Sequence, residues 1–253
     1  MTPRTPPALT ADQQAVVAAK TVTAIALLHS TARDYAPVAF ANSLGAEDMV
    51  LTDIIWRENL DIGIFSLDTG RLPAETYDLI TRAEKHYGRR IEIIFPHPDE
   101  VETCVRRNGI NGFYDSIEAR KACCHARKVA PLKRALAGKR TWITGLRAAQ
   151  ATTREGLEPI APDPVHGIAK ISPLADWSEA EVWAYIHAHD VPYNALHDQG
   201  YPSIGCAPCT RAITPGEDVR AGRWWWENPE TKECGLHMVD GRLQRIKKEG
   251  TAA

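Results

Sequence analysis

Four short apolar runs alternate with amphipathic stretches along the first two thirds of this chain, and that alternation restricts the fold more than any other feature. The runs cover residues 37–41, 61–67, 91–95 and 140–144, with a further candidate at 168–171. Between them lie helical patterns. Thr10 with Gln13 reads as a capping box opening a helix to about Arg33, and Ser178 with Glu181 as another for a helix to about His189. Met49, Val50, Ile54 and Ile55 give a second helical face, and Leu79, Ile80 and Ala83 a third, after Pro73. A long helix is expected over about 119–136, and Pro96 and Pro98 stop the third strand. Strands alternating with helices predict an α/β fold: a mostly parallel sheet with helices on both faces. Ligands in such sheets sit at the carboxyl ends of the strands. The loops 43–48, 68–70 and 145–147 all follow strand ends and should meet in one crevice.

The chain has 253 residues, 44% of them hydrophobic, enough for one large domain with a substantial core. Residues 1–9, rich in Pro and Thr, are expected to be disordered. Residues 10–199 read as the α/β domain. Residues 200–253, rich in Gly, Pro, Trp and charge, read as a C-terminal arm carrying motifs. A net charge of −2 gives no global attraction to nucleic acid or anionic membrane. No apolar run is expected to reach the ~18 residues of a membrane span, and the N-terminus has no signal-like core. The expectation is a cytoplasmic protein with reduced cysteines, where clustered cysteines suggest metal or redox chemistry.

Five of the six cysteines fall in three groups. Cys123, Cys124, Cys206 and Cys209 make a tetrathiolate site by count. Adjacent cysteines crowd a single tetrahedral ion, whereas an iron–sulfur cluster offers separate iron atoms. Spacing therefore favours iron–sulfur, with zinc and a redox thiol pair as alternatives. Cys234 stands apart, beside Glu233, Gly235 and His237, as a reactive thiol would; a nearby imidazolium or Arg raises the thiolate fraction. Cys104 reads as an ordinary half-buried thiol.

The loop SLGAED at 43–48 joins strand to helix. Gly45 permits close backbone approach, and the helix start offers N–H groups to an anion. Any strand–helix turn can carry Ser and Gly, so the loop alone is a weak signal; Glu47 and Asp48 complement a helix dipole as first-turn acids do. Asp68, Thr69 and Gly70 end the second strand before Pro73, which favours a helix start. Arg147 and Arg154 add cations to the same rim, suited to phosphate and sulfate through forked hydrogen bonds. Lys128 lies one helical turn after Cys124 and can face a metal site and an anion site together. Arg220 and Arg223 precede Trp224, Trp225 and Trp226, three adjacent rings that cannot all bury on one face.

Together these motifs resemble the assimilatory adenylyl-sulfate reductases, in the family shared with the phosphoadenylyl-sulfate reductases, over roughly residues 37–240. The resemblance rests on SLGAED at 43–48, LDTGRLP at 67–73, CC at 123–124, TGLR at 144–147, CAPCTR at 206–211, PGEDVRAGRWWWE at 215–227 and KECGLH at 232–237. It implies an adenine nucleotide α-hydrolase-like fold and one [4Fe–4S] cluster per chain on Cys123, Cys124, Cys206 and Cys209. It implies Cys234 as nucleophile on adenosine 5′-phosphosulfate, with reduced thioredoxin as donor, releasing sulfite and AMP in sulfate assimilation and cysteine biosynthesis. Ser43 and Gly45 would lie near the phosphosulfate, and Asp68, Thr69 and Gly70 near the adenosine. Lys128, Arg147, Arg220 and Arg223 would neutralise the anion, with His237 also at the substrate. A homo-oligomer is left open.

The rival activity uses the 3′-phosphorylated nucleotide, and enzymes of that type usually lack the four cluster cysteines. An ATP-dependent enzyme of the same fold would want SGGxDS, and SLGAED lacks its second Gly and final Ser. A zinc-stabilised binding module leaves KECGLH without a role. Two departures stand out: Ala151 where relatives often carry Ser, and Asn42 and Leu44 where some carry Ser beside Gly45. A segment from Gly205 to His237 that closes over bound nucleotide is also expected.

Overall fold

The structure is a computed structural model that describes residues 10–150, 156–228, 238–239 and 242–243. Six strands build one sheet: β1 (Val38–Ala41), β2 (Gly63–Leu67), β3 (Glu92–Ile94), β4 (Thr141–Ile143), β5 (Ile160–Asp163) and β6 (Ile168–Ile171). Their spatial order is β3-β2-β1-β4-β6-β5, and every pairing except the antiparallel β5–β6 is parallel. The expected α/β fold is what is found.

Successive residues of a strand face opposite sides, and β1 and β4 fill both. Phe40 and Ile143 enter the larger core with Leu28, Met49, Ile54 and Trp177. Ala39 and Trp142 point the other way, onto Phe65, Leu132 and Leu136. The described residues also form seven α-helices: α1 (Ala11–Asp34), α2 (Ala46–Arg57), α3 (Ala74–Tyr87), α4 (Pro98–Asn108), α5 (Ile117–Cys124), α6 (Ala130–Ala135) and α7 (Glu179–Ala188). Both expected capping boxes form, on α1 with Thr10 and Gln13 and on α7 with Ser178 and Glu181.

The chain runs from β1 outward through β2 to β3, then returns to add β4 on the other side of β1. This reversal makes the β1–β4 gap a topological switch point, the usual place for a ligand crevice.

Four elements differ from the expectations. Helix α4 begins at Pro98, because proline suits the first turn of a helix as well as the end of a strand. Strand β5 contains Pro162, which an edge strand tolerates. The helix expected over 119–136 is broken by a π turn at His125–Val129, where Ala130 donates to the His125 carbonyl five residues back. Pro131 explains the widening: it has no N–H for Arg127, and its ring presses on that carbonyl.

The fourth difference corrects the membrane reading. Helix α1 does carry an 18-residue window of mean hydropathy 1.4, long and apolar enough to span by composition alone. A single such helix near an N-terminus is weak evidence. Here Val17, Ala24 and Leu28 enter the core, and Lys20 pairs with Glu181 of α7 at 2.9 Å.

Candidate active site

The loops after β1, β2 and β4 do meet, around a cleft of about 280 Å3 at the carboxyl end of the sheet. That is near the lower end of small-ligand cavities. Its rim at the switch point is formed by Ser43, Gly45, Asp48, Gly145 and Arg147; Lys128, Arg220 and Arg223 line it from the opposite elements.

The SLGAED loop is held in a strained form. Leu44, not Gly45, takes the left-handed conformation, with φ +64°; Gly45 has φ −73°. A β-carbon residue there costs on the order of 1–3 kcal/mol. Asn42 sustains it: its side-chain oxygen accepts the Leu44 N–H at 2.6 Å, while its amide donates to Thr52 Oγ1 at 2.8 Å. Asn42, one of the two departures in sequence, is therefore the brace of this turn.

Asp48 is buried and faces back into the loop. Its Oδ2 accepts both the N–H and the hydroxyl of Ser43 at 2.6 Å. The backbone of Gly145, across the crevice, also bonds to it, at an approach so close that a Cβ on Gly145 would overlap Asp48 Oδ1. Burial pushes the Asp48 carboxyl up to about 6; the Ser43 bonds oppose this and neighbouring Glu47 adds to it. Glu47 holds Arg147, with Oε1 at 2.8 Å from Nε and 2.7 Å from Nη2, and Arg147 also donates to the Trp177 carbonyl at 3.2 Å. Arg147 lines the cleft as expected, but as a clamp between two loops.

The LDTGR loop serves the cysteines. Asp68 accepts from Gly70 N–H at 2.7 Å and from the Tyr77 hydroxyl at 2.8 Å, so Asp68 and Gly70 shape the turn, with Gly70 at φ +68°. Thr69 lines the cleft and its Oγ1 lies 3.2 Å from Cys206 Sγ. Arg127 donates to the Thr69 carbonyl at 2.7 Å, and Arg71 accepts the Ala207 N–H through its own carbonyl.

Cys206 and Cys209 are buried with Phe113 and Trp224, and Cys123 packs against the same cluster. Cys209 is pushed up to about 12 by burial first, then by the thiols of Cys206 and Cys124. Burial also raises Cys123, with Arg127 opposing it. At Cys206 burial is outweighed by Lys128, by the Thr69 hydrogen bond and by Arg223 and Arg127, so its thiol is lowered. The four cysteines thus share one pocket, none of them in a disulfide. Among the described residues no three His, Cys, Asp or Glu side chains gather as closely as a single ion requires.

Two residues to which the sequence reading gives no role of their own complete this pocket. Arg120, 1% exposed, forms a forked ion pair with Glu227 at 2.8 Å through Nε and Nη2. Its guanidinium lies 4.8 Å from the Trp224 ring centroid and also interacts with Cys124. The spacing of Arg120 and Cys124, one helical turn, was the available signal; Glu227 offers none locally.

The first part of the arm is therefore packed. Thr210 bridges to Arg223, Trp224 is buried and Trp225 is exposed, as three adjacent rings require. Arg223 stacks on Trp224 at 4.8 Å and presses on Gly205, where a Cβ would overlap it. Of the segment expected to close over nucleotide, residues 205–228 are described, and in this structure they pack onto the cysteine pocket through the Arg120–Glu227 pair and Arg223. Cys234, His237, Ala151 and Arg154 lie outside the described residues.

The strand-end cleft is thus lined by cations and adjoins a pocket of thiols. A family model, the phosphoadenosine phosphosulfate reductase domain, matches residues 37–212. The adenosine 5′-phosphosulfate reductase of Allochromatium vinosum is 62% identical, covering 94% of this chain and 91% of that protein. That of Burkholderia cepacia is 56% identical, over 88% of this chain and 89% of its own. Among solved structures, the phosphoadenylyl-sulfate reductase of Candida auris in its phosphate complex superposes with TM-score 0.66 at 25% identity, over 83% of this chain and all of that one. An FMN adenylyltransferase of Candida glabrata, at TM-score 0.57 and 17% identity, over 92% of this chain and 83% of that one, shares the fold. The chain belongs to the phosphoadenosine phosphosulfate reductase family.

Proposed function

We propose that this protein reduces adenosine 5′-phosphosulfate to sulfite and AMP, with reduced thioredoxin as electron donor. The observation that carries the reading is the shared wall: Lys128 and Arg223 line the nucleotide cleft and also act on Cys206. The names of the most similar relatives support the same substrate. The adenosine lies toward Thr69 and the ends of β1 and β2. The phosphosulfate lies toward Lys128, Arg220 and Arg223, whose charges disperse its negative charge.

Cys234 thiolate attacks the sulfur, the S–O bond to the phosphate breaks, and AMP leaves with that electron pair. The product is an S-sulfocysteine. A thioredoxin thiolate then attacks Cys234 Sγ and expels sulfite; its second thiol resolves the mixed disulfide and regenerates Cys234. Two electrons pass from the thioredoxin dithiol to sulfur. His237, three residues after Cys234, is placed at the substrate with it.

Cys123, Cys124, Cys206 and Cys209 would hold a [4Fe–4S] cluster. Cys123, Cys206 and Cys209 pack in one cluster and Cys124 acts on Cys209, so the wholly thiol donor set fits that group, and adjacent Cys123 and Cys124 suit separate irons better than one ion. When bound, it would supply a fixed charge beside the cationic wall. Thr69, Arg120 and Lys128 orient or balance the thiolates that carry it. The reaction is assigned to the cytoplasm, where thioredoxin is kept reduced.

Sulfite release from adenosine 5′-phosphosulfate and from its 3′-phosphorylated form, by anaerobically purified protein with reduced thioredoxin, tests the reading. Preference for the former is expected. Equal or better use of the 3′-phosphorylated substrate would assign the sister activity, and release from neither would refute the reductase.

A further inference from the structure

Helix α2 opens at the β1–β4 crevice. A helix start at such a switch point normally presents free amides and a positive dipole end to an anion. Here a carboxylate stands beside that start, bonded to the loop just before it. Asp48 Oδ2 takes the amide and hydroxyl of Ser43, and the Gly145 backbone bonds to the same carboxylate. Glu47, the next acid in the first turn, takes Arg147. Asp48 is 6% exposed, so solvent screens its charge little. The cations facing the cleft sit elsewhere, on the π turn and the arm, as Lys128, Arg220 and Arg223.

We propose that Asp48 is a specificity-determining residue: its buried carboxylate sets a negative charge at the β1–β4 crevice, so the cleft rejects nucleoside triphosphates and accepts a nucleotide whose short anionic tail reaches the Lys128–Arg223 wall. The inference rests on the nucleotide reading above. A triphosphate has to place at least one further anionic group against the crevice. There it meets a buried carboxylate and finds Ser43 and Gly145 already bonded. Ser43 sharpens the discrimination, because its hydroxyl proton points at Asp48 and its oxygen offers only lone pairs to a ligand. In an ordinary cationic cleft each added phosphate strengthens binding; here the one that must face the crevice weakens it.

The test is calorimetric binding of AMP, ADP and ATP to the full chain at pH 7.5, for wild type, Asp48→Asn and Asp48→Ser. Wild-type affinity should drop at the third phosphate, ATP binding at least about tenfold more weakly than AMP. Both variants should raise the ATP-to-AMP affinity ratio by about tenfold or more. Asn keeps an oxygen for Ser43, and Ser supplies a donor in a smaller volume. Near-ultraviolet circular dichroism establishes that each variant is folded; if neither folds, the wild-type series alone decides. ATP binding wild type as tightly as AMP would overturn the assignment, as would folded variants with an unchanged ratio. Wild type binding none of the three would overturn the nucleotide reading itself, and this assignment with it.

Discussion

The rim of the cleft and the cysteine pocket lie on neighbouring loops of one sheet and treat charge in opposite ways. At the rim, Asp48 and Glu47 turn inward and occupy Ser43, Gly145 and Arg147. At the pocket, Lys128, Arg127 and Arg223 act on Cys206, and Arg120 acts on Cys124. The rim beside the start of α2 carries a buried carboxylate bonded to the loop around it. The cations that line the cleft stand on long side chains of the π turn and the arm. The difference teaches that the position of a cleft follows from topology, while the sign of each wall follows from a few side chains.

The comparison can be broken most forcefully at the thiol that both regions would serve. Cys234→Ser should lower sulfite formation by about a thousandfold or more, since serine offers almost no alkoxide and cannot form the sulfur–sulfur intermediate. Iron content, measured per chain, should stay at the wild-type level. Retention of a tenth of wild-type turnover would remove Cys234 from its role.

The pocket's own balance is probed at Arg120 and Glu227. Breaking this buried pair with Glu227→Leu leaves an uncompensated guanidinium and should cost about 3–5 kcal/mol in anaerobic urea unfolding. Arg120→Met combined with Glu227→Leu should recover most of that loss, because two apolar groups leave no buried charge. A double variant as weak as the single one would show that the pair contributes by shape and not by charge.

At the rim the corresponding probe is pH. The folded-state value of Asp48, about 6, stands above its ordinary 3.8. Above pH 6 the buried charge destabilises the fold. As pH falls from 6 toward 4, the folded state takes up a proton that the unfolded state does not, and stability from this group rises. Asp48→Asn lacks that gain. The stability of the variant relative to wild type should therefore fall between pH 7.5 and pH 4.5, by about 2 kcal/mol. Thermal unfolding at the two values measures it, and a difference independent of pH would place Asp48 in an ordinary, solvated setting.

The smallest effect concerns the shared wall. Lys128→Met should lower kcat/KM for adenosine 5′-phosphosulfate by about tenfold, through one lost charge contact. No change would restrict Lys128 to the thiols.

Much of this was legible beforehand, and for identifiable reasons. The parallel strands announce themselves because both faces are apolar, as in VAFA of β1 and TWI of β4. The capping boxes of α1 and α7 are local codes and were read correctly. Strand β5 and helix α4 were hidden by prolines whose meaning depends on tertiary position. The π turn was hidden because Pro131 acts on a carbonyl four residues earlier. In the site, residue types pointed to the right loops but not to their partners. Arg147 looks like an anion ligand until Glu47, a hundred residues away, is seen to hold it. Glu227 pairs with Arg120 across 107 residues, a contact that no local pattern encodes. The apolar character of α1 was underestimated because Lys20 and His29 interrupt the run without lowering its mean hydropathy enough to matter.

The claim that the nucleotide cleft and the thiolate pocket share one cationic wall is tested most directly on anaerobic Cys234→Ser protein, which binds nucleotide without turning it over. Adenosine 5′-phosphosulfate is titrated while calorimetry and visible absorption are followed together. The account predicts a saturable change in the iron–sulfur absorption with the same midpoint as the heat of binding. Tight binding by calorimetry with an unaltered iron–sulfur spectrum would contradict it.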